Sequence, residues 1–224
     1  MLATILADTL GDVPWTVDPA SRNGLRLLRP QTPLFHEGDR TENFYEILSG
    51  VVRAFKVFAD GRRQIVSFAF PNDIVGFGHG DTYRFECEAI SDAIVRVIPK
   101  ASLMRSIRER PELGEKLLQI ATGEVANMQD LSILLFRKTA MERIATFLMS
   151  MARRRPDVGA GARQPLPMCR ADIGDFLGLT ISTVSRTLTK LRDMNVIDVP
   201  DRGGFVVLDF HKLLLLSESE DTVH

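Results

Sequence analysis

The hydrophobic pattern of this 224-residue chain changes period once, near Pro99, and that switch restricts the fold more than any other feature. From Gly24 to about Pro99, apolar and polar residues alternate in short runs broken by turn signals, the mark of strands with one buried face in a sandwich or barrel. Strands are predicted over residues 44–48, 51–58, 64–70 and 93–98. Ser49-Gly50, Asp60-Gly61 and Pro71-Asn72-Asp73 supply turns, with Asp60-Gly61 at the clearest hairpin. After Pro99 the apolar positions recur every three or four residues, as helices require.

Pro111 suits the first position of a helix, where its missing N–H costs nothing, and a long helix is predicted from there to about Leu135. Within it Leu118, Ala121, Val125, Met128, Ser132 and Leu135 follow at alternating intervals of three and four. That is a heptad seam whose small and flexible members let two helices approach closely. Leu117, Ile120, Leu131 and Leu134 form a second apolar stripe. One stripe can face the chain's own β domain and the other the same helix of a second subunit. A single broad core face is the alternative on periodicity alone. Another helix, over residues 139–151, carries Met141, Ile144, Ala145, Leu148 and Met149 on one side and ends in Arg153-Arg154-Arg155-Pro156. Residues 157–167, rich in Gly and Pro, read as a loop.

Beyond the loop, residues 170–177 make a short amphipathic helix, Gly178-Leu179-Thr180 a tight turn, and residues 181–194 a second helix. Gly178 supplies a left-handed C-terminal conformation, and Thr180 can accept the first amides of the helix that follows. Ile173, Phe176, Leu177, Leu179, Val184, Leu188 and Leu191 would face inward. Ile181, Ser182, Ser185, Arg186 and Thr189 stay on the opposite face, near the end of a helix that enters a major groove in helix-turn-helix motifs. Arg186 can then fork to guanine O6 and N7. Arg170, Thr180 and Thr183 are placed for phosphates, helped by the positive end of the second helix. The alternative is a plain helical hairpin with a solvated Arg186. Residues 196–199 and 204–208, joined by Pro200-Asp-Arg-Gly203, read as a β-hairpin, which makes the unit a winged helix with Arg202 at a tip that can meet a phosphate.

Charge is distributed to match. The whole chain has a formal net charge of −1, but residues 137–212 hold thirteen Lys and Arg against eight Asp and Glu, leaving the remainder at −6. No stretch approaches the roughly 20 consecutive apolar residues of a membrane helix. Residues 1–11 read as a short amphipathic helix rather than a secretory signal, so a cytoplasmic location is expected. Cys87 and Cys169 are too few for a disulfide framework or a cysteine metal site. His36, His211 and His224 show no metal-ligand spacing, and no nucleophile and base pair or phosphate loop suggests an enzyme.

In its order of barrel, long helix and winged helix, the chain resembles the cyclic-AMP receptor protein and FNR superfamily nearly end to end. The residues that carry the resemblance are Phe35-His-Glu-Gly-Asp39, Phe44-Tyr-Glu-Ile-Leu-Ser-Gly50, Pro71-Asn-Asp-Ile-Val-Gly76 and, above all, Gly178-Leu-Thr-Ile-Ser-Thr-Val-Ser-Arg-Thr-Leu188. It looks most like the FixK branch, through Asp175-Phe-Leu-Gly-Leu-Thr180 and Thr183-Val-Ser-Arg-Thr-Leu188. The resemblance implies an α+β chain with a jelly-roll barrel of the cyclic-nucleotide-binding type over residues 1–105. A dimerisation helix over 106–136 and a winged helix-turn-helix over 137–224 follow. It implies a homodimeric transcription regulator, expected to be an activator that recruits RNA polymerase. Such a dimer reads double-stranded DNA with half-sites roughly 34 to 36 Å apart, of the TTGA-spacer-TCAA kind. One departure is Ser182, where the family pattern usually has a glutamate that contacts a base and orients the arginine. A serine reaches a base edge or water but cannot hold Arg186 in that way.

Cyclic-nucleotide binders of the family carry Gly-Glu and Arg-Ser pairs, and the matching positions here read Gly76-Phe77 and Tyr83-Arg84. The carboxylate and guanidinium are missing from their places, so cyclic AMP is not expected. Residues 1–24 hold none of the cysteines of the FNR cluster, and no cofactor is expected. A loop reading suits His79 better than haem ligation, though an effector-gated sensor holding a small anion or haem in the barrel is the alternative function. Cys169, beside Arg170, can act as a redox switch if nearby positive charge lowers its pKa; a small buried hydrophobe is the plainer reading. The hairpin tip Asp60-Gly61-Arg62-Arg63 is a candidate polymerase contact or an ordinary solvated turn.

Overall fold

The computed structural model describes residues 24–78, 80–154, 161–201 and 203–218, which fall into two compact units, 24–128 and 129–218. The helix expected over residues 1–11, His79, Arg202 and His224 lie outside the described residues.

The first unit begins with eight strands: β1 (Leu25–Leu28), β2 (Pro33–Phe35), β3 (Asn43–Ser49), β4 (Val52–Val57), β5 (Arg63–Ala69), β6 (Ile74–Val75), β7 (Glu86–Ala89) and β8 (Ala93–Pro99). They form two four-stranded antiparallel sheets, ordered β1-β8-β3-β6 and β2-β7-β4-β5, so the architecture is a jelly-roll-like sandwich rather than a closed barrel. The four strands read from the alternating pattern are β3, β4, β5 and β8. The others escape a periodicity search because they are short, or because the inward positions are small, as with Cys87 and Ala89 in β7. Between the sheets lie Leu28, Leu34, Phe35, Tyr45, Ile47, Val52, Tyr83 and Val95, all buried. Each large aliphatic among them stabilises the fold by about 1.5–3 kcal/mol relative to exposure. The buried Cys87 thiol has its pKa pushed up by the loss of water around it.

Two helices complete this unit. The first, α1 (Lys100–Glu109), is one the sequence reading passed over, and α2 (Glu112–Arg137) starts directly after Pro111. Leu103 of α1 and Leu113 and Ile120 of α2 cover Phe44, Ile74 and Ile98 of the first sheet, with Leu117 packed against them. The stripe expected to meet the chain's own β domain does so here through Leu117 and Ile120.

The second unit begins within α2, at Gln129. It contains α3 (Ala140–Arg153), β9 (Arg163–Pro165), α4 (Arg170–Leu177), α5 (Ile181–Asp193), β10 (Ile197–Asp201), β11 (Gly204–Val207) and α6 (Phe210–Ser217). Thr139 opens α3 with a capping box: its hydroxyl accepts from the Glu142 amide, and the Glu142 carboxylate accepts from the Thr139 amide at 2.6 Å. Those bonds hold the Glu142 carboxyl below the usual carboxylate range. Ile144, Phe147 and Leu148 of α3 are buried in this unit's core with Ile173, Leu177, Val184, Leu191, Phe205 and Leu213. Part of the predicted loop is a strand, since residues 163–165 pair with β11 to make a three-stranded sheet ordered β10-β11-β9. Arg-Gln-Pro lacks an apolar alternation, so pattern alone missed it.

Candidate nucleic-acid interface

The turn between α4 and α5 is set by two glycines. Gly178 adopts φ 64°, the left-handed region that a side chain disfavours, and ends α4. Gly174 lets the backbone return: a Cβ there would stand 2.6 Å from the Leu179 carbonyl oxygen, and the Leu179 amide donates to the Gly174 carbonyl at 2.9 Å. Thr180 then caps α5, its Oγ1 accepting from the Thr183 amide at 3.2 Å. Val184, Leu188 and Leu191 bury one face of α5, and the other is left to solvent.

Ile181, Ser182, Ser185, Arg186 and Thr189 are all exposed on that second face. Ile181 is 56% exposed, a large apolar side chain at the tip of a helix. Three hydroxyls cluster beside it: Thr180 Oγ1 lies 2.9 Å from both Ser182 Oγ and Thr183 Oγ1. Arg186 lies back along its own helix, where its Nε donates to the Ser182 carbonyl oxygen at 3.3 Å. The backbone of residue 182 thus holds the guanidinium, a role its short side chain cannot fill. Among the described residues, Arg186 Nε is the guanidinium nitrogen that bonds to the helix, which leaves the Nη pair for a two-pronged contact.

Arg170 starts α4 and is half-buried, whereas Thr183 is half-buried and Thr180 exposed at the positive end of α5. Exposed Cys169 is the N-cap of α4, where its Sγ accepts from the Asp172 amide at 3.4 Å. The β10–β11 hairpin is braced from β9 by Arg163, whose Nε and Nη2 grip the two carboxylate oxygens of Asp201 at 3.1 and 2.7 Å. That fork, with a bond from the Gly203 amide, holds the Asp201 pKa down.

Elsewhere, the predicted seam on α2 places Leu118 at 65%, Val125 at 55% and Met128 at 50% exposure, with Ser132 exposed and Ala121 and Leu135 half-buried. The sequence reading left out Phe136, 85% exposed and in line with Leu118, Val125 and Ser132 on the helix. At the β4–β5 hairpin, Arg62 Nε donates to Asp60 Oδ2 at 2.7 Å, Gly61 turns at φ 81°, and the Arg63 guanidinium lies 5.6 Å over the Phe55 ring. Tyr83 is buried between the sheets. Its ring stacks on Phe35 at a centroid distance of 3.9 Å, Tyr45 lies on from Phe35 at 5.7 Å, and its hydroxyl donates to the Asn43 carbonyl at 2.6 Å. Phe77 instead packs toward Phe44 at 5.2 Å, in the cluster beneath α1. Arg84 is exposed. Among the described residues, no helix is long and apolar enough to cross a membrane.

Sequence reasoning missed Arg143, because no spacing rule singles out one cation beside an apolar helix face. It also missed α6, although Asp209 three residues before Lys212 is the signal of an N-cap, and its side chain accepts from the Lys212 amide at 2.8 Å.

Comparison with known proteins places these features in a lineage. Residues 142–216 match the family described as a Crp-like helix-turn-helix domain, and residues 25–110 match the cyclic nucleotide-binding domain. The chain is 42% identical over 177 residues to the nitrogen fixation regulation protein FixK of Bradyrhizobium diazoefficiens, which spans 79% of this chain and 74% of that one. It is 40% identical over 182 residues to the transcriptional activatory protein AadR of Rhodopseudomonas palustris, spanning 80% and 75%. The solved structure of FixK2 from Bradyrhizobium japonicum superposes with a TM-score of 0.82 at 36% identity, over 87% of this chain and 97% of that one.

Proposed function

Because this chain belongs to the CRP/FNR family of transcription regulators, which bind DNA through a helix-turn-helix, we propose that it works as a cytoplasmic homodimer reading an inverted repeat of the TTGA-spacer-TCAA kind without cyclic AMP. The observation that carries this reading is the exposed face of α5, with exposed Arg186 tethered through Nε to the Ser182 carbonyl. Those nitrogens fork to guanine O6 and N7, Ile181 meets a thymine methyl, and Ser182 and Ser185 bond base edges or bridging water. Arg170, Thr180 and Thr183 take phosphates.

The α2 stripe from Leu118 to Ser132, extended by Phe136, is the surface that a second copy covers, since so many large apolar side chains along one helix face are costly to leave in water. The packed rings of Phe35, Tyr45 and Tyr83 support independence from cyclic AMP, because they occupy the space between the sheets. Activation runs through RNA polymerase meeting the hairpin tip at Asp60, Gly61, Arg62 and Arg63, beside exposed Val57 and Phe58. Oxidative control acts at Cys169: peroxide oxidises the thiol to a sulfenic acid with release of water, which disturbs the α4 cap beside the phosphates.

Binding of the purified protein to a symmetric TTGA and TCAA duplex, with and without cyclic AMP, tests the central claim. Tight, sequence-specific binding without any additive is expected. Binding seen only with the nucleotide, or equal binding to scrambled DNA, would overturn it.

A further inference from the structure

The junction between α2 and α3 is two residues long, Lys138 and Thr139, and these side chains together with Arg143 of α3 hold the ends of four helices. The Arg143 guanidinium donates from Nε to the Lys138 carbonyl at 2.9 Å, from Nη2 to the Leu135 carbonyl at 2.6 Å, and from Nη1 to the Leu177 carbonyl at 2.9 Å. Leu135 lies in the last turn of α2, and Leu177 is the last residue of α4. One half-buried cation therefore bonds the C-terminal carbonyls of both helices, the groups that a helix leaves unpaired and that carry its negative pole. The contact is close, since a Cβ on Gly178 would stand 3.4 Å from Arg143 Nη1 and 3.6 Å from Leu135 Cδ2. Lys138 does the same for α6, donating to the Ser217 carbonyl at 2.6 Å and to Thr146 Oγ1 at 3.0 Å. The Thr139 and Glu142 capping box closes the start of α3.

A flexible joint would leave these carbonyls to water. Here a planar fork spans three of them at fixed angles, which a lysine, a single point of charge, cannot do. Because α4 passes to α5 through three residues of tight turn, fixing the end of α4 against the end of α2 also fixes the recognition helix against α2. We infer that Arg143 is a positioning residue that sets the distance between the two recognition helices, and hence the spacer length the dimer accepts. This rests on the reading of the chain as a dimeric DNA regulator with α2 at the subunit contact.

The test compares wild-type protein with Arg143→Met, which keeps the stem but removes the three donors. Each is assayed on a half-site duplex and on inverted repeats whose spacer is the preferred length or one base pair longer or shorter. Affinity for the half-site is expected to stay within about twofold, because the α5 face is untouched. Affinity for the preferred full site falls roughly tenfold or more, the size expected when a charged hydrogen bond is lost, and discrimination among spacers narrows by a similar factor. Retained spacer discrimination overturns the inference, as does an equal loss on half-site and full site, which would mark a merely structural role. If Arg143→Met melts below the assay temperature, Arg143→Lys serves, with the same ordering and a smaller shift. Wild-type protein that binds no duplex removes the regulator reading itself, and this inference with it.

Discussion

Arg186 and Ser182 show how a single position can change the way a neighbour is held without removing it. The resemblance implies that Ser182 cannot hold Arg186 in the way the family's usual glutamate does. The Ser182 carbonyl takes up Nε instead, an arrangement no side-chain pattern encodes, because it depends on how a long side chain folds back along its own helix. Replacing Arg186 with Ala should cost about 1–3 kcal/mol of specific binding and relax selectivity at the guanine it reads, measured by titration against single-base variants of the site. Ser182→Glu would add a carboxylate beside the guanidinium and a new acceptor for a base. Selection from a random DNA library should then shift preference at one or two positions, and an unchanged consensus would count against Ser182 as a base contact. By contrast, the exposed face of α5 was legible in advance, because Val184, Leu188 and Leu191 mark the buried side by spacing alone.

At the level of elements, those with a strong period were readable and those without one were not. Strands β3, β4, β5 and β8 and helices α2 to α5 each repeat an apolar residue often enough to declare a face. Helix α6, Phe-His-Lys-Leu-Leu-Leu-Leu-Ser, is apolar around most of its circumference, and β9 gains strand geometry only by pairing with β11. The α2 stripe carries a prediction of its own: Val125→Glu should place like charges opposite one another in a dimer and give a monomer by analytical ultracentrifugation at concentrations where wild type is dimeric. The sheet beside α5 carries another. The Asp201 pKa is depressed by the Arg163 fork, so the fork's contribution is complete above the usual carboxylate pKa and is lost as pH falls through the depressed value. Acidification through that range should loosen the hairpin in wild type, seen as faster amide exchange in β10 and β11, while Asp201→Asn should show the looser hairpin already at neutral pH.

On the scale of the whole molecule, the charge division visible in the sequence acquires a place, since the basic excess belongs to the unit that carries α4 and α5. Affinity for a full site should therefore fall steeply with salt, on the order of a thousandfold between 50 and 200 mM if each half-site engages three or more phosphates. Arg170→Gln should lower the slope of log affinity against log salt by about one per half-site and leave base preference alone. An unchanged slope would remove Arg170 from the phosphate contacts. The order of domains was legible because each obeys a different hydrophobic period, whereas the α2–α3 junction was not, because it is built from bonds between cations and carbonyls that lie far apart in sequence. The three stacked rings between the sheets have a further consequence for how such a regulator could be governed. On the reading that no effector enters a domain filled with its own side chains, the number of chains in the cell joins the state of Cys169 as a quantity that sets occupancy. Pairing is second order in that number, and at low abundance the occupied sites would rise with its square. A modest change in synthesis or turnover would then be felt at the promoter as a sharper one.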